Sequence, residues 1–419
     1  MPHPNPAASA GTLIVGAGQA GVQLAASLRS LGDTAPITLV GGEAHPPYQR
    51  PPLSKEFLAG AADAASLAFR TPAFYAENGI ELVGGEWVTA LTLPTGGRPG
   101  VARTGSGLAL PFARLALTTG AAPRRLGVPG ADLDGIRYLS DLDDAVGLRA
   151  QLADARRVVI VGGGFIGLEA AAAARAAGSQ VTVVEATDRL VARAVAPVVS
   201  QFLATAHRER GTTVLLSTSV AGFLAEDGRV GAVALADGTE LPADLVVVGI
   251  GAVPRTALAE RIGLECDGGI VVDAAARTSA PDVVAAGDCT VRPHPLTGVG
   301  RVRLESVPGA VAQASAAAAT LLGRPAETRT VPWFWSNQGD LRLQIAGISA
   351  GSDRHDVRGD PATGSFAVLH YRAGELVAVD AVNSPADYLV VRKALATGRT
   401  LPADRAADPG VPLKSLLAG

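Results

Sequence analysis

The sequence predicts an α/β protein with two dinucleotide-binding sheets and a smaller α+β domain at the C-terminal end, on three observations. Apolar runs at 12–15 and 158–161 are each followed at once by a Gly-x-Gly-x-x-Gly loop and an Ala-rich helical stretch. A chain of 419 residues exceeds one ordinary core, so two or three domains are expected. From Pro332 onward the composition shifts: PWFWSNQGDLRLQIAG holds two of the three tryptophans and is followed by strand-like runs at 365–370 and 376–379.

Taken in order, the strand at 12–15 leads into Gly16, Gly18 and Gly21, and a helix over about 20–31 that begins with Ala20. The first glycine permits the turn, the second admits a pyrophosphate, and the third lets the helix lie against the strand. The next strand, 37–40, ends in Gly41 and Gly42 rather than an acid, so Glu43 is expected to take the adenosine ribose one residue late. The segment HPPYQRPPLSKEFL carries four prolines and reads as a rigid arm, then a helix from about Ser54. Its cations, Arg50 and Lys55, either are solvated surface charges or face a phosphate-bearing, electron-rich cofactor. Residues 80–117 alternate like a small antiparallel meander, and LALTTG at 115–120 returns to the first sheet.

The second unit repeats the pattern with Gly162, Gly164 and Gly167, a helix over 165–177 and a strand at 181–184 ending in Glu185. That carboxylate is placed to accept the ribose hydroxyls and to repel the extra phosphate of NADPH, which makes NADH the expected donor. Arg189 and Arg193 are close enough in sequence to oppose this preference. Residues 214–241 read as hairpins with Asp-Gly turns, and LVVVGIG at 245–251 as a strand leading out of this inserted domain. DVVAAGDCT then closes the first domain with Asp288, a cofactor ligand or a helix N-cap. A helix over 305–322, with Pro308 in its first turn, points its N-terminus and the Val307 N–H at a cofactor. The expected domains are 1–120 with 244–325, then 121–243, and 326–419.

Bulk composition excludes several classes. A net charge of −3 gives no whole-molecule attraction to nucleic acid or an anionic membrane. The two cysteines, Cys266 and Cys289, form no Cys-x-x-Cys pair, and no apolar run is long enough to span a bilayer. The start, MPHPNPAASAG, lacks the features of a secretory signal and reads as a disordered lead-in, so a cytoplasmic location is expected. The six histidines are scattered, and no metal-ligand cluster or nucleophilic triad is found.

Two dinucleotide units, one interrupting the other, imply one resident and one visiting cofactor, and FAD with NADH fit. Nicotinamide gives a hydride, and flavin can release the electrons singly. The nicotinamide carbon must come within about 3–3.5 Å of the accepting nitrogen. Lys55 is expected to set a positive charge beside that nitrogen, and Glu169, on the first turn of the second helix, to pair with Lys55 and position the nicotinamide. Asp288 would bind the ribityl hydroxyls, and the Val307 N–H would meet charge on the pyrimidine end.

The order GAGQAG, PYQRPPLSKEFL, GGGFIGLE, VTVVEATDR, AAGDC, ESVPGAVAQA and PWFWSNQ resembles the NADH-dependent, FAD-containing ferredoxin reductases of bacterial cytochrome P450 and Rieske oxygenase systems. The resemblance covers nearly the whole chain. It implies a glutathione-reductase-like fold with noncovalent FAD and a small [2Fe–2S] ferredoxin as acceptor. Carried over by position, FAD would meet Gly16, Gly18, Ala20, Gly21, Arg50, Lys55, Val88, Asp288 and Val307. NADH would meet Gly162, Gly164, Ile166, Gly167, Glu169 and Glu185, with Gly251 lining the site. Trp335 aligns with an aromatic near the flavin's exposed edge, or is a core aromatic of the third domain. The chain departs from the pattern at Gly42, where an acid is usual, at Ser140, where an arginine is common, and at Asn337 and Gly339, where an acid and an aromatic are expected. Two other readings stay open: a redox-sensing NADH-binding flavoprotein similar to apoptosis-inducing factor, and an NADH:quinone-type reductase.

Overall fold

The computed structural model describes residues 10–417; the Pro-rich start, through position 9, lies outside the described residues. The chain forms two compact units, one from residues up to 49 with 65–122 and 253–332, the other from 50–64 and 123–252 with the residues from 333 on.

In the first unit, Thr12–Val15 is the middle strand of a five-stranded parallel sheet ordered Val283–Ala285, Arg114–Leu117, Thr12–Val15, Ile37–Val40, Ile80–Val83. These short runs carry at most one polar residue each, Thr12, Thr38, Glu81 and Arg114, so none has a polar face to give to water, and a parallel sheet covered on both sides accommodates them. Leu13 and Ile14 are buried, each contributing about 1.5–3 kcal/mol. One face packs against the helices Gln19–Ser30 and Val307–Leu321, where Leu24 and Leu28 share a core with Ala314, Ala317 and Ala318. The other face packs with Phe112, Ile270 and Cys289. The stretch expected to be one meander is divided. Only Val88–Thr92, Gly100–Thr104 and Ala109–Phe112 form the antiparallel sheet, while Ile80–Val83 becomes an edge of the parallel sheet. Alternation marks a strand without naming its partner.

In the second unit a parallel sheet runs Thr212–Leu215, Gln180–Val184, Arg157–Val161, Leu245–Val248, Ile136–Tyr138. Leu245–Val248 therefore does not leave this unit. Apolar on both faces, it needs an interior place, which it finds beside Arg157–Val161, and the chain departs only after residue 252 rather than at 243. The hairpin of Val220–Glu226 with Arg229–Leu235 turns on Asp227 (φ 50°) and Gly228 (φ 79°), the two positive angles of a type I′ turn. A five-stranded antiparallel sheet, Trp333–Gln338, Leu341–Gly347, Glu375–Val382, Ser365–Arg372, Arg354–Asp360, completes the unit, with Tyr388, Val391 and Leu395 of the helix Pro385–Thr397 buried.

Residues 50–64, expected with the first segment, group with this second unit. The helix expected from Ser54 is instead a single 3₁₀ turn, Pro51–Ser54. Two prolines preset its backbone and remove two donors, and Lys55 (φ −125°, ψ −104°) ends it.

Candidate active site

Both glycine loops adopt the backbone their spacing demands. Gly16 (φ +114°) and Gly162 (φ +108°) lie where side chains rarely go, and a Cβ on Gly21 or Gly167 would overlap the carbonyl oxygen of Gly16 or Gly162. A Cβ on Gly18 would meet nothing within 4 Å, so the N-terminus of Gln19–Ser30 faces open space that fits a pyrophosphate. Gly164 is nearly as open, with the Gly249 carbonyl at 3.9 Å, and Ile166 beside it is half exposed. Ala20 approaches Gly287 (φ +87°) closely enough that a Cβ there would lie 3.1 Å away, which brings the loop carrying Asp288 next to the first glycine loop. Asp288 precedes the strand Thr290–Pro293, so it caps no helix. Val307 is the first residue of its helix, and Ser306 caps it by accepting the Gly309 N–H at 3.1 Å.

At the strand ends the two units differ. The Glu185 carboxylate accepts the Gly163 N–H at 2.6 Å through Oε2, and the Thr187 N–H and hydroxyl at 2.7 Å each through Oε1, which holds it at the mouth of the second loop. Arg189, a sequence candidate for binding a phosphate there, turns away: its guanidinium donates to the Val195 and Ala192 carbonyls and to Ser200. Arg193 is exposed, near Gly251. Gly251 accepts the Arg124 N–H at 2.9 Å. In the first unit Glu43 accepts the Tyr48 hydroxyl. The missing acid at Gly42 has a steric reason, since any Cβ there would run into the indole of Trp87. That exposed ring also carries the Arg255 guanidinium at 5.4 Å, and Val88 follows it at the start of its strand.

The densest polar cluster surrounds Glu169, one turn into the helix Phe165–Ala176. Its buried carboxylate accepts Lys55 Nζ at 2.7 Å and the Ser54 hydroxyl through Oε2, and the Ser336 hydroxyl at 2.5 Å through Oε1. Lys55 also donates to the Pro51 carbonyl at 3.1 Å. The expected pair is present, and two hydroxyls that sequence reasoning missed complete it. The period of two along Trp333–Gln338 is the signal that could have found Ser336. Phe334 meets Phe165 at 4.6 Å, Ser336 meets Glu169, and Gln338 meets His207, all on one face. Trp335 lies on the other face, half-buried against Trp333 with ring centroids 5.5 Å apart. Arg50 donates to the Ser140 carbonyl, so a guanidinium reaches position 140 although residue 140 supplies none.

A family model described as pyridine nucleotide-disulphide oxidoreductase matches residues 11–314, and one described as reductase C-terminal matches 333–417. The chain belongs to the pyridine nucleotide-disulphide oxidoreductase family. It is 45% identical to rhodocoxin reductase of Rhodococcus erythropolis over 97% of this chain and 94% of that one. It is 41% identical to putidaredoxin reductase of Pseudomonas putida over 97% of this chain and 96% of that one. A solved covalent complex of putidaredoxin reductase with putidaredoxin contains a chain that superposes with a TM-score of 0.94, at 41% identity, over 98% of this chain and 99% of that one. Unlike the disulphide-using members that give the family its description, this chain has no redox dithiol: Cys266 is half-buried, Cys289 fully so, and burial pushes both thiols up. No helix among the described residues is long and apolar enough to cross a membrane.

Proposed function

We propose that this chain is an NADH-dependent ferredoxin reductase that passes electrons through FAD to a small [2Fe–2S] ferredoxin serving a cytochrome P450 or Rieske oxygenase. The observation that carries the reading is the full-length likeness to reductases of that kind with both glycine loops intact. The bound flavin supplies the conversion of one hydride into two single electrons.

The chain's own residues bind and orient. Gly16, Gly18, Ala20 and Gly21 receive the pyrophosphate of FAD at the helix N-terminus, and Asp288 and Val307 take its ribityl and pyrimidine ends. Glu43 and Val88 serve the adenosine end, and Arg50 takes the place of the arginine absent at 140. Gly162, Gly164, Ile166 and Gly167 hold NADH, with Gly251 lining the site. Glu185 accepts the ribose hydroxyls and disfavours a 2′-phosphate, and the inward turn of Arg189 supports that preference. Glu169 holds Lys55 so that its ammonium stabilises the negative charge of the reduced flavin. Trp335 belongs to the edge from which electrons leave. Two thiols in no redox pair suit the cytoplasm.

The test is NADH-driven cytochrome c reduction by the purified flavoprotein with and without a [2Fe–2S] ferredoxin. A large ferredoxin-dependent rate with NADH and little with NADPH is expected. Equal rates with and without ferredoxins of several systems would overturn the acceptor, and equal use of NADPH would overturn the role of Glu185.

A further inference from the structure

The two glycine units end their second strands differently. In the second unit Glu185 follows the strand directly, and its carboxylate accepts the N–H of Gly163, the middle residue of the loop. In the first unit the corresponding positions are Gly41 and Ala17, and a Cβ on Gly41 would lie 2.7 Å from the Ala17 methyl. The next residue, Gly42, is bare as well, because its Cβ would lie 2.2 Å from Cε2 of Trp87. An indole therefore stands where the second strand of a dinucleotide fold meets the adenosine.

The ring is held there through its backbone. Gly85 donates to the Glu43 carbonyl at 2.8 Å, Glu86 donates to the Gly41 carbonyl at 2.9 Å, and the Trp87 carbonyl accepts the Gly105 N–H at 2.9 Å. These bonds fasten the approach to Val88–Thr92 onto the end of Ile37–Val40. Yet Trp87 is 56% exposed, although the Arg255 guanidinium lies 5.4 Å from its ring centre. Arg255 is anchored beside the ring by donating to the Ala121 carbonyl at 2.7 Å. Scattered exposed side chains are ordinary, but an indole fixed at the adenosine end of a cofactor fold forgoes burial that a flat aromatic ligand would supply. The nearest acid, Glu43, accepts the Tyr48 hydroxyl and is left for the ribose.

We propose that the Trp87 indole is the adenine platform of the FAD site: the base stacks on it, Arg255 secures the ring, and this contact replaces the carboxylate that Gly41 and Gly42 cannot carry. The proposal rests on the reading above that the adenosine end of FAD lies at Glu43 and Val88. It makes Trp87 a residue that selects FAD over FMN, which has no adenosine, and it leaves the flavin end untouched.

The test equilibrates the purified FAD-bound protein with a fixed excess of FMN, removes free flavin on a rapid desalting column, and quantifies the two bound flavins by chromatography. Wild type is expected to retain FAD. In Trp87→Ala the preference for FAD over FMN should fall about tenfold, the contribution of one base stacked on an aromatic ring, and in Trp87→Phe, which keeps a π-face, by no more than about threefold. A variant that only loosens the fold would lose both flavins alike and leave the ratio unchanged. Gly42→Ala, whose methyl must displace the indole, should reproduce the loss on its own and add nothing when combined with Trp87→Ala. A wild-type ratio in Trp87→Ala overturns the proposal, as does a wild-type ratio in Gly42→Ala should the tryptophan variant fail to fold. Equal retention of FAD and FMN by the wild type would instead overturn the placement of the adenosine on which the proposal rests.

Discussion

Replacing Glu169 by glutamine keeps the shape of the side chain and removes its charge, and the geometry sets the consequence. The carboxylate side chain is 2% exposed and Lys55 is 11% exposed, 2.7 Å away. At an effective dielectric of about 20 the attraction over that distance is about 6 kcal/mol, from which the desolvation of both ions subtracts. The amide can keep its oxygen on Lys55 and Ser54 by turning its NH2 to Ser336, whose hydroxyl must then accept where it now donates, and the buried ammonium is left without a compensating charge. Removing one member of a buried pair costs about 3–5 kcal/mol, and that is the expected loss. Urea denaturation followed by circular dichroism measures it. Lys55→Met combined with Glu169→Gln should recover at least about 2 kcal/mol of the sum of the single losses, because no unpaired ion remains. A single-variant loss below about 1 kcal/mol, or strict additivity in the double variant, would refute the reasoning.

Three further outcomes are expected. Gly167→Ala forces a Cβ into the Gly162 carbonyl, so NADH affinity should fall at least about tenfold while FAD content stays at wild type, read by equilibrium titration and flavin absorbance. In Glu185→Gln the ratio of kcat/KM for NADPH to that for NADH should rise about tenfold; an unchanged ratio would remove the carboxylate from cofactor choice. His207 is held below its ordinary 6.5 by burial and then by the Arg210 charge, against the opposing Gln338 hydrogen bond. The unfolded chain therefore binds the proton first as pH falls. This contribution is whole above about pH 6.5 and is lost progressively below it, at no more than about 1.4 kcal/mol per pH unit. His207→Gln should flatten that part of the stability profile between pH 7 and pH 5, and an identical slope in the variant would sink the assignment.

The glycine loops were legible because their requirement is steric and local: a positive φ at Gly16 and Gly162 and close approach at Gly21 and Gly167 can be met by one residue type. The Lys55–Glu169 pair was legible from resemblance and charge, since their separation of 114 positions hides it from any periodicity. What failed were choices of partner. An alternating run at 80–83 looks the same as part of a meander or as the edge of a parallel sheet, and an all-valine strand at 246–248 does not say which of two sheets it joins. The helix expected after Pro52 gave way because two prolines favour a tight turn and nothing downstream restores a helical face. Gly42 could not be explained from its own neighbourhood, because the indole that excludes a side chain comes from Trp87, 45 positions later and just before the strand Val88–Thr92. Ser336 was readable in principle, as a polar residue at alternate positions in a strand of Trp and Phe, where a buried hydroxyl must find a partner.

The claim on which the account turns is that Lys55, fixed by Glu169, supplies the charge that favours the reduced flavin. Anaerobic rapid mixing of the flavoprotein with NADH, monitored at the flavin absorbance, tests it in wild type and in Lys55→Ala. The account predicts that the variant keeps its FAD and is reduced about 100-fold more slowly, the effect expected of losing one oriented charge at the reacting centre. An unchanged reduction rate with FAD fully retained would contradict it.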